Sequence, residues 1–171
     1  MLQADPKKRH NIEATIREAF AGVRLGGGVS LVEAEAIDGY YELISMAEAH
    51  RLRQFENTDD WTALTTSELD SENLAHLDPE GLRYYLPAFM LRVLDDYQPG
   101  EMWCIGTVAR LDQRNPHPLG FVELLTNAQR AAIAAYVEAL PELVELDYED
   151  AAIIDRSLAQ VWRAYIDRPS T

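Results

Sequence analysis

Residues 77–90 read LDPEGLRYYLPAFM, and this stretch does most to decide the fold. Asp78 followed by Pro79 is a strong helix start, because aspartate accepts hydrogen bonds from the first helical N–H groups and proline suits the first helical position. Apolar residues then recur at helical spacing as far as Asp96, which predicts a long helix with one buried face. Pro87 lacks a backbone N–H and disfavours helix in the residue before it, so we expect a kink or two abutting helices there.

The chain upstream of this stretch predicts two further helices. Apolar residues at three- and four-residue spacing predict the first, over about residues 6–22. A triple glycine at 26–28 follows; without a Lys-Ser or Lys-Thr after it, we interpret it as a turn between helices rather than a phosphate-binding loop. Ser30 and Glu33 have the spacing of a capping box, so a second helix is predicted to begin at the residue after Ser30, with Gly39 as a candidate break.

The segment between this second helix and the 77–90 stretch is predicted to be mainly loop. Residues 54–61 are polar, and we expect Phe55 and Trp61 to anchor them in the core. Thr66 or Ser67 is predicted to cap a short helix before Leu77 is reached.

Downstream of residue 100 the spacing of apolar residues is less regular. Thr126 and Gln129 form a second capping-box pair and predict a helix that ends at Pro141. A last helix is predicted over about residues 149–166. Between Glu101 and Phe121 apolar residues alternate weakly, and we expect an irregular segment or a short β-hairpin there.

These elements predict a mainly α fold, a single-domain bundle of about six helices. A chain of 171 residues has the length of one ordinary domain and can bury a sizeable core. We therefore expect one helical domain over residues 1–171, with loose termini at 1–6 and 167–171.

Charge is the unusual bulk property of this chain. Lys and Arg number 15 against 29 Asp and Glu, which gives a formal net charge of −14. Such a charge repels phosphate backbones and anionic lipid, so we expect neither nucleic acid nor membrane as a partner. Apolar runs of signal-peptide or membrane-spanning length are absent from the sequence, and Cys104 is the only cysteine. The sequence therefore predicts a cytoplasmic protein with a buried thiol.

The 77–90 stretch also resembles the signature of an uncharacterised bacterial family, Leu-Asp-Pro-Glu-Gly-x-Arg-x-Tyr-Leu-Pro-Ala. Further pieces with the same resemblance are Leu31-x-Glu33-Ala34, Ile37-Asp38-x-Tyr40, Asp60-Trp61 and Leu125-Thr126 with Gln129 and Ile133. Together they sample the chain from about residue 29 to 140. That family has no established activity, so the resemblance implies a domain extent and a bacterial origin but no catalytic role.

Motifs that would carry chemistry are missing from the sequence. The four histidines have no metal-ligand spacing, no serine lies in a nucleophile elbow, and Cys104 has no basic neighbour to lower its pKa. We therefore predict no metal, no cofactor and no catalytic residue. The candidate binding residues are Arg83, Glu33, Asp38, Asp59, Asp60, Trp61 and Tyr84. Arg83 has two interpretations, a structural ion pair or a group that binds an anion.

Two acidic tracts suggest a function. Residues 55–82 contain eight carboxylates and residues 131–155 contain seven. Neither tract contains a Lys or Arg. Trp61, Tyr136 and Tyr148 lie within the tracts, and acidic groups with aromatic rings suit a surface that binds a basic protein. We favour a non-catalytic domain of this kind, comparable to an immunity protein or an antitoxin. The alternatives are a small enzyme with a carboxylate and arginine site built from Glu33, Asp38 and Arg83, or an oligomeric accessory protein.

Overall fold

Helices form all the regular secondary structure in residues 5–39, 44–71 and 73–166, which are the residues that the computed structural model describes. The α-helices are α1 (Pro6–Ala19), α2 (Leu31–Asp38), α3 (Met46–Arg53), α4 (Pro79–Asp95), α5 (Met102–Leu111), α6 (Phe121–Leu124), α7 (Asn127–Leu143), α8 (Tyr148–Ser157) and α9 (Arg163–Ile166). A π-helical turn, Leu158–Trp162, joins α8 to α9, and three 3-10 turns lie at Trp61–Ala63, Glu68–Asp70 and Leu74–His76. The predicted mainly α fold is confirmed. Within the described ranges, no helix is long and apolar enough to cross a membrane.

The helix starts follow from local capping chemistry, as predicted. Asp78 accepts a hydrogen bond from the Gly81 N–H at 2.8 Å and caps α4. Ser30 opens α2 and Thr126 opens α7, each within a complete capping box. Because such caps satisfy N–H groups that the helix itself cannot bond, they fix where each helix begins.

A kink or two abutting helices were expected at Pro87, and a helix end at Pro141; the two abutting helices and the helix end are wrong. The helix α4 continues through Pro87, and α7 continues past Pro141 to Leu143. Residues 84–90 are all buried, so packing on both sides of Pro87 offsets the cost of one lost hydrogen bond and the ring's contact with the preceding turn. Tertiary burial decides the outcome at Pro87.

The irregular segment or β-hairpin expected near 101–121 is also wrong, because residues 102–111 form α5. The weak alternation through Ile105 was misleading, since Ile105 is 42% exposed. The buried positions are 103, 104, 107, 108 and 111, which is the spacing of one helix face. Beyond α5, residues 112–120, which include the loop from Asn115 to Pro118, follow the expectation of non-helical structure.

Four smaller expectations have mixed outcomes. Trp61 is buried as predicted, but Phe55 is 74% exposed and anchors nothing in the core. Ser67 makes no capping hydrogen bond, and the short helix expected there is a pair of 3-10 turns. Gly39 ends α2 with a φ of +60°, a conformation that suits glycine. Both termini were expected to be loose. At the N-terminus Asp5 caps α1 and Pro6 begins it, while residues 1–4 and 167–171 lie outside the described residues.

The core is built around α4, whose neighbours include α1, α5 and α6, while α1 packs along α7 and α5 packs on α8. The members of the core include Trp61, Tyr85, Leu86, Phe89, Ile133 and Tyr136. Buried polar atoms in this core have backbone partners, since Trp61 Nε1 donates to the Phe20 carbonyl at 2.9 Å and Tyr136 Oη donates to the Met90 carbonyl at 3.0 Å. These bonds satisfy groups that would otherwise be costly to bury.

The turn before α2 is pressed against the first turn of α4. A Cβ added to Gly28 would lie 2.6 Å from the Gly81 nitrogen, and one added to Gly81 would lie 2.5 Å from the Val29 carbonyl oxygen. Asp78 Oδ1 accepts hydrogen bonds from both the Gly81 and the Val29 N–H, each at 2.8 Å. The two glycines therefore allow backbone to lie against backbone at this junction.

We expect Gly81→Ala to lower the free energy of unfolding by about 2–3 kcal/mol, because its methyl group would meet backbone atoms that cannot move aside cheaply. Gly106→Ala is the matched control on α5, where a Cβ would make ordinary contact with Leu74 at 3.5 Å. It should be neutral, or stabilising by up to about 1 kcal/mol, since alanine favours helix over glycine. Urea unfolding of both variants measures the difference, and equal stabilities would contradict the junction described above.

Candidate functional site

Glu33 is the most highly connected of the predicted site residues. Its carboxylate is buried in the first turn of α2 and accepts from the Ser30 N–H at 2.9 Å and from Arg53 Nη1 at 2.5 Å, while Oε1 lies 2.8 Å from His50 Nδ1. Burial alone would raise the pKa of Glu33, but these hydrogen bonds outweigh it, and the pKa is lowered. Glu33 is therefore a charged, fully partnered group.

Arg53 joins this carboxylate to the glycine turn. Its Nη1 also donates to the Gly28 carbonyl and its Nη2 to the Gly26 carbonyl, both at 2.6 Å. The turn thus presents carbonyl oxygens to an arginine, whereas a phosphate loop presents N–H groups. The interpretation of the triple glycine as a turn between helices is confirmed.

Glu56 lies beside this pair without an ion-pair partner among the described residues. Its Oε1 accepts from the Val32 N–H at 3.2 Å, and its Oε2 is buried without a hydrogen bond. Burial, and to a smaller extent the negative charge of Glu33, raises the pKa of Glu56. Two neighbouring carboxylates with opposite pKa shifts are a known arrangement for acid and base chemistry, but here Arg53 and His50 already bind Glu33.

The three residues of the enzyme alternative are not joined to one another. Asp38 pairs with His76 at 2.9 Å, and Glu33 pairs with Arg53 and His50. Arg83 forms no ion pair with any carboxylate of the described residues, and its Nε is buried without a hydrogen bond.

Most of the remaining predicted site residues have structural contacts. Asp60 caps the turn at Trp61–Ala63 through the Thr62 N–H, and Trp61 is buried. Tyr84 is also buried and donates to the Asn57 carbonyl at 2.8 Å; burial, followed by the charges of Asp60 and Asp59, raises its pKa. Only Asp59 is free to meet a partner, being exposed with a loose 3.7 Å contact to Arg24.

The second acidic tract carries a feature that sequence reasoning only partly found. Tyr136 lies in the core, but Tyr148 is 89% exposed at the first position of α8. Asp147 caps α8, and its N–H donates to Tyr97 Oη, which itself donates to Asp150 at 2.6 Å. The sequence around Tyr97 gave no sign of this role, because the contacts join segments about 50 residues apart in sequence.

Arg92 is a further residue that the sequence did not single out. It lies between two surface clefts of about 390 and 440 Å³, both of which it lines. Its guanidinium stacks over the Trp103 ring at 3.9 Å and pairs with Asp70 at 2.6 Å. With these contacts in place, Arg92 is a structural cation rather than a free binding group.

The described residues form neither a metal site nor a reactive thiol. No three His, Cys, Asp or Glu side chains there are grouped so as to hold a metal ion. The Cys104 thiol is buried as predicted, and burial raises its pKa to about 11, so thiolate chemistry is disfavoured.

Comparison with known proteins gives one match. A model for a family of unknown function, DUF6714, matches residues 8–166. No curated protein and no solved structure matches the chain. The resemblance to a family without established activity is thereby confirmed.

We expect Arg53→Met to lower the free energy of unfolding by about 3 kcal/mol, because it leaves the buried Glu33 carboxylate without its cation. Arg83→Met is the matched control, since Arg83 has no carboxylate partner among the described residues. It should melt no lower than wild type, because no ion pair is lost. Thermal melts run side by side measure both, and a large loss for Arg83→Met would show that this arginine has a structural partner.

We expect Glu56→Gln to stabilise the protein at pH 7 but not at about pH 4. The pKa of Glu56 is raised in the folded state. The charged side chain therefore lowers stability only above its pKa in the unfolded chain, and this loss grows until the pH has passed its pKa in the folded protein. Glutamine keeps the Oε1 acceptor for Val32 and carries no charge. Melting temperatures of wild type, Glu56→Gln and the exposed control Glu101→Gln, taken from pH 4 to 8, check the sign. A gain that is independent of pH would rule out titration of Glu56 as its cause.

Proposed function

The chain belongs to the DUF6714 family of unknown function, and we propose that it is a non-catalytic domain that binds a basic protein. The observation that carries the proposal is Tyr148, a large ring 89% exposed within a tract of seven carboxylates and no Lys or Arg. Exposed aromatic rings anchor protein interfaces, and surrounding charges of one sign steer the partner to them.

The backbone that carries Tyr148 is firmly held. The Asp147 carboxylate accepts from the Asp150 N–H at 2.8 Å, and Tyr97 Oη accepts from the Asp147 N–H at 3.1 Å. A ring presented from a fixed helix start loses less conformational entropy on binding than one on a loose loop. This supports Tyr148 as an interface anchor.

The charges around Tyr148 are largely free of cations. Glu145, Asp147 and Glu149 are exposed, and none of them pairs with a cation among the described residues. Asp96, also exposed, directly precedes the Tyr97 that contacts Asp147. We call these four carboxylates and Tyr148 the Tyr148 surface.

The partner that fits this surface is a protein with several Lys or Arg side chains around an apolar patch. A basic toxin has this chemistry, and the protein described here would then mask it as an immunity protein or antitoxin does. We further propose that the protein is bacterial and cytoplasmic, which the signature resemblance and the single buried thiol support. The enzyme alternative around Glu33, Asp38 and Arg83 has less support, because Arg53, His50 and His76 already bind the two carboxylates.

We expect Tyr148→Ala to weaken partner binding by about 2 kcal/mol, roughly 30-fold in Kd, as loss of an interface anchor does. Leu119→Ala is the control, since Leu119 is 77% exposed outside the acidic tracts. Wild type and both variants serve as baits for a bacterial lysate, and Kd values are then measured for the recovered basic protein. Equal capture by Tyr148→Ala and wild type would contradict this surface.

We also expect Glu145→Lys to slow association several-fold at low salt, because it reverses a charge beside the anchor. Glu18→Lys makes the same change in net charge on α1 and should affect the rate less. Both effects should fade towards physiological salt as screening shortens the range of the charges. An on-rate that ignores ionic strength, or falls equally in both variants, would count against a local acidic surface.

A further inference from the structure

We infer that Arg110 and Gln113, at the C-terminal end of α5, form a binding site for a small oxyanion, a carboxylate or a phosphate. The inference is independent of the Tyr148 surface, which would bind a cationic partner. It rests on two neighbouring polar side chains with buried atoms that have no partner. Such groups are rare in folded proteins and call for an explanation.

The first of these is the Arg110 guanidinium. Its Nε and Nη1 are buried without a hydrogen-bond acceptor, and it pairs with no carboxylate of the described residues. Burial lowers the pKa of Arg110, and no nearby acid opposes that shift. Arginine nevertheless stays protonated, so a positive charge is held here uncompensated.

The nearest acid along the chain cannot serve Arg110. Asp112 is held by Arg114, whose Nε donates to Asp112 Oδ1 at 2.6 Å while its Nη2 donates to Oδ2. This two-bond pairing uses both carboxylate oxygens. The local sequence thus supplies two arginines but only one acid, and the acid goes to Arg114.

The second group is Gln113, which is 5% exposed. Its Nε2 donates to the Arg110 carbonyl at 2.8 Å and to the His117 carbonyl at 3.4 Å, which fixes the orientation of the amide. Its Oε1 is thereby left buried without a donor. Arg110 needs an acceptor and Gln113 needs a donor, so a singly protonated phosphate, with both, suits the pair better than a carboxylate.

The surrounding segments enclose this end of α5. One turn before Arg110, Gly106 lies against Leu74, and a Cβ there would be 3.5 Å from the Leu74 Cβ. His117 Nε2 contacts the Ala75 carbonyl at 2.7 Å and ties the loop after α5 to the same turn. The end of α5 that carries the two groups is therefore tied to the Leu74–His76 turn, both directly and through the loop after α5.

The test is a titration of the full chain with inorganic phosphate and, separately, with acetate, at constant ionic strength and pH 7. We expect a saturable rise in the melting temperature of about 3–6 °C with the preferred anion. Arg110→Met should lose this rise and should melt above wild type when no anion is added, because it removes an uncompensated buried charge. Arg24→Met, which changes an exposed arginine, should keep it.

Nitrogen-15 NMR of wild type gives a readout that does not depend on any variant folding. The Arg110 Nε–H and Gln113 side-chain signals should shift with the same saturation curve as the melting temperature. A response to phosphate alone would assign a phosphate site, and a response to acetate alone a carboxylate site. If neither anion shifts these signals, or if Arg110→Met responds as wild type does, the inference is overturned.

Discussion

A single carboxylate oxygen, Asp78 Oδ1, organises the N-terminal half of the fold. It accepts one hydrogen bond from the first turn of α4 and another from Val29, 49 residues away in sequence. The bond to Val29 holds the residue before the Ser30 cap of α2, and the start of α2 positions Glu33 for the Arg53 and His50 side chains of α3. Since Gly28 and Gly81 are the residues that allow this approach, backbone geometry rather than side-chain packing decides the arrangement.

The placement of a few arginines explains why much of the remaining surface stays negatively charged. Arg53 lies against Glu33 and two glycine carbonyls, and Arg92 lies between Trp103 and Asp70. Arginines used internally in this way cannot neutralise the exposed acids, so the tract around Tyr148 stays negative. The high net charge is thus concentrated by the fold as well as set by composition.

Local chemistry explains which parts of the fold could be predicted from sequence. Asp78 with Pro79, and Thr126 with Gln129, act within one helical turn, so the sequence shows both the cap and its target. Pro87 and α5 could not be predicted in the same way, because burial against other helices overrides the local preference. The site followed the same division: the capping role of Glu33 is visible in the sequence, whereas Arg53 and His50 reach it from another helix. Trp61, also a candidate binding residue, shows the same limit, since its indole N–H donates to the Phe20 carbonyl, 41 residues away.

The pairing of α1 with α7 has a consequence for biosynthesis. Lys8 and Glu142, whose side chains meet across these helices, are 134 residues apart, and Ile16 and Phe20 of the N-terminal segment are fully buried in the finished protein. During synthesis α1 leaves the ribosome before α7 and has no α7 to pack against until the residues between them have been translated. Its apolar face must meanwhile stay exposed or be shielded by a chaperone, so the domain cannot complete its folding before α7 has been made.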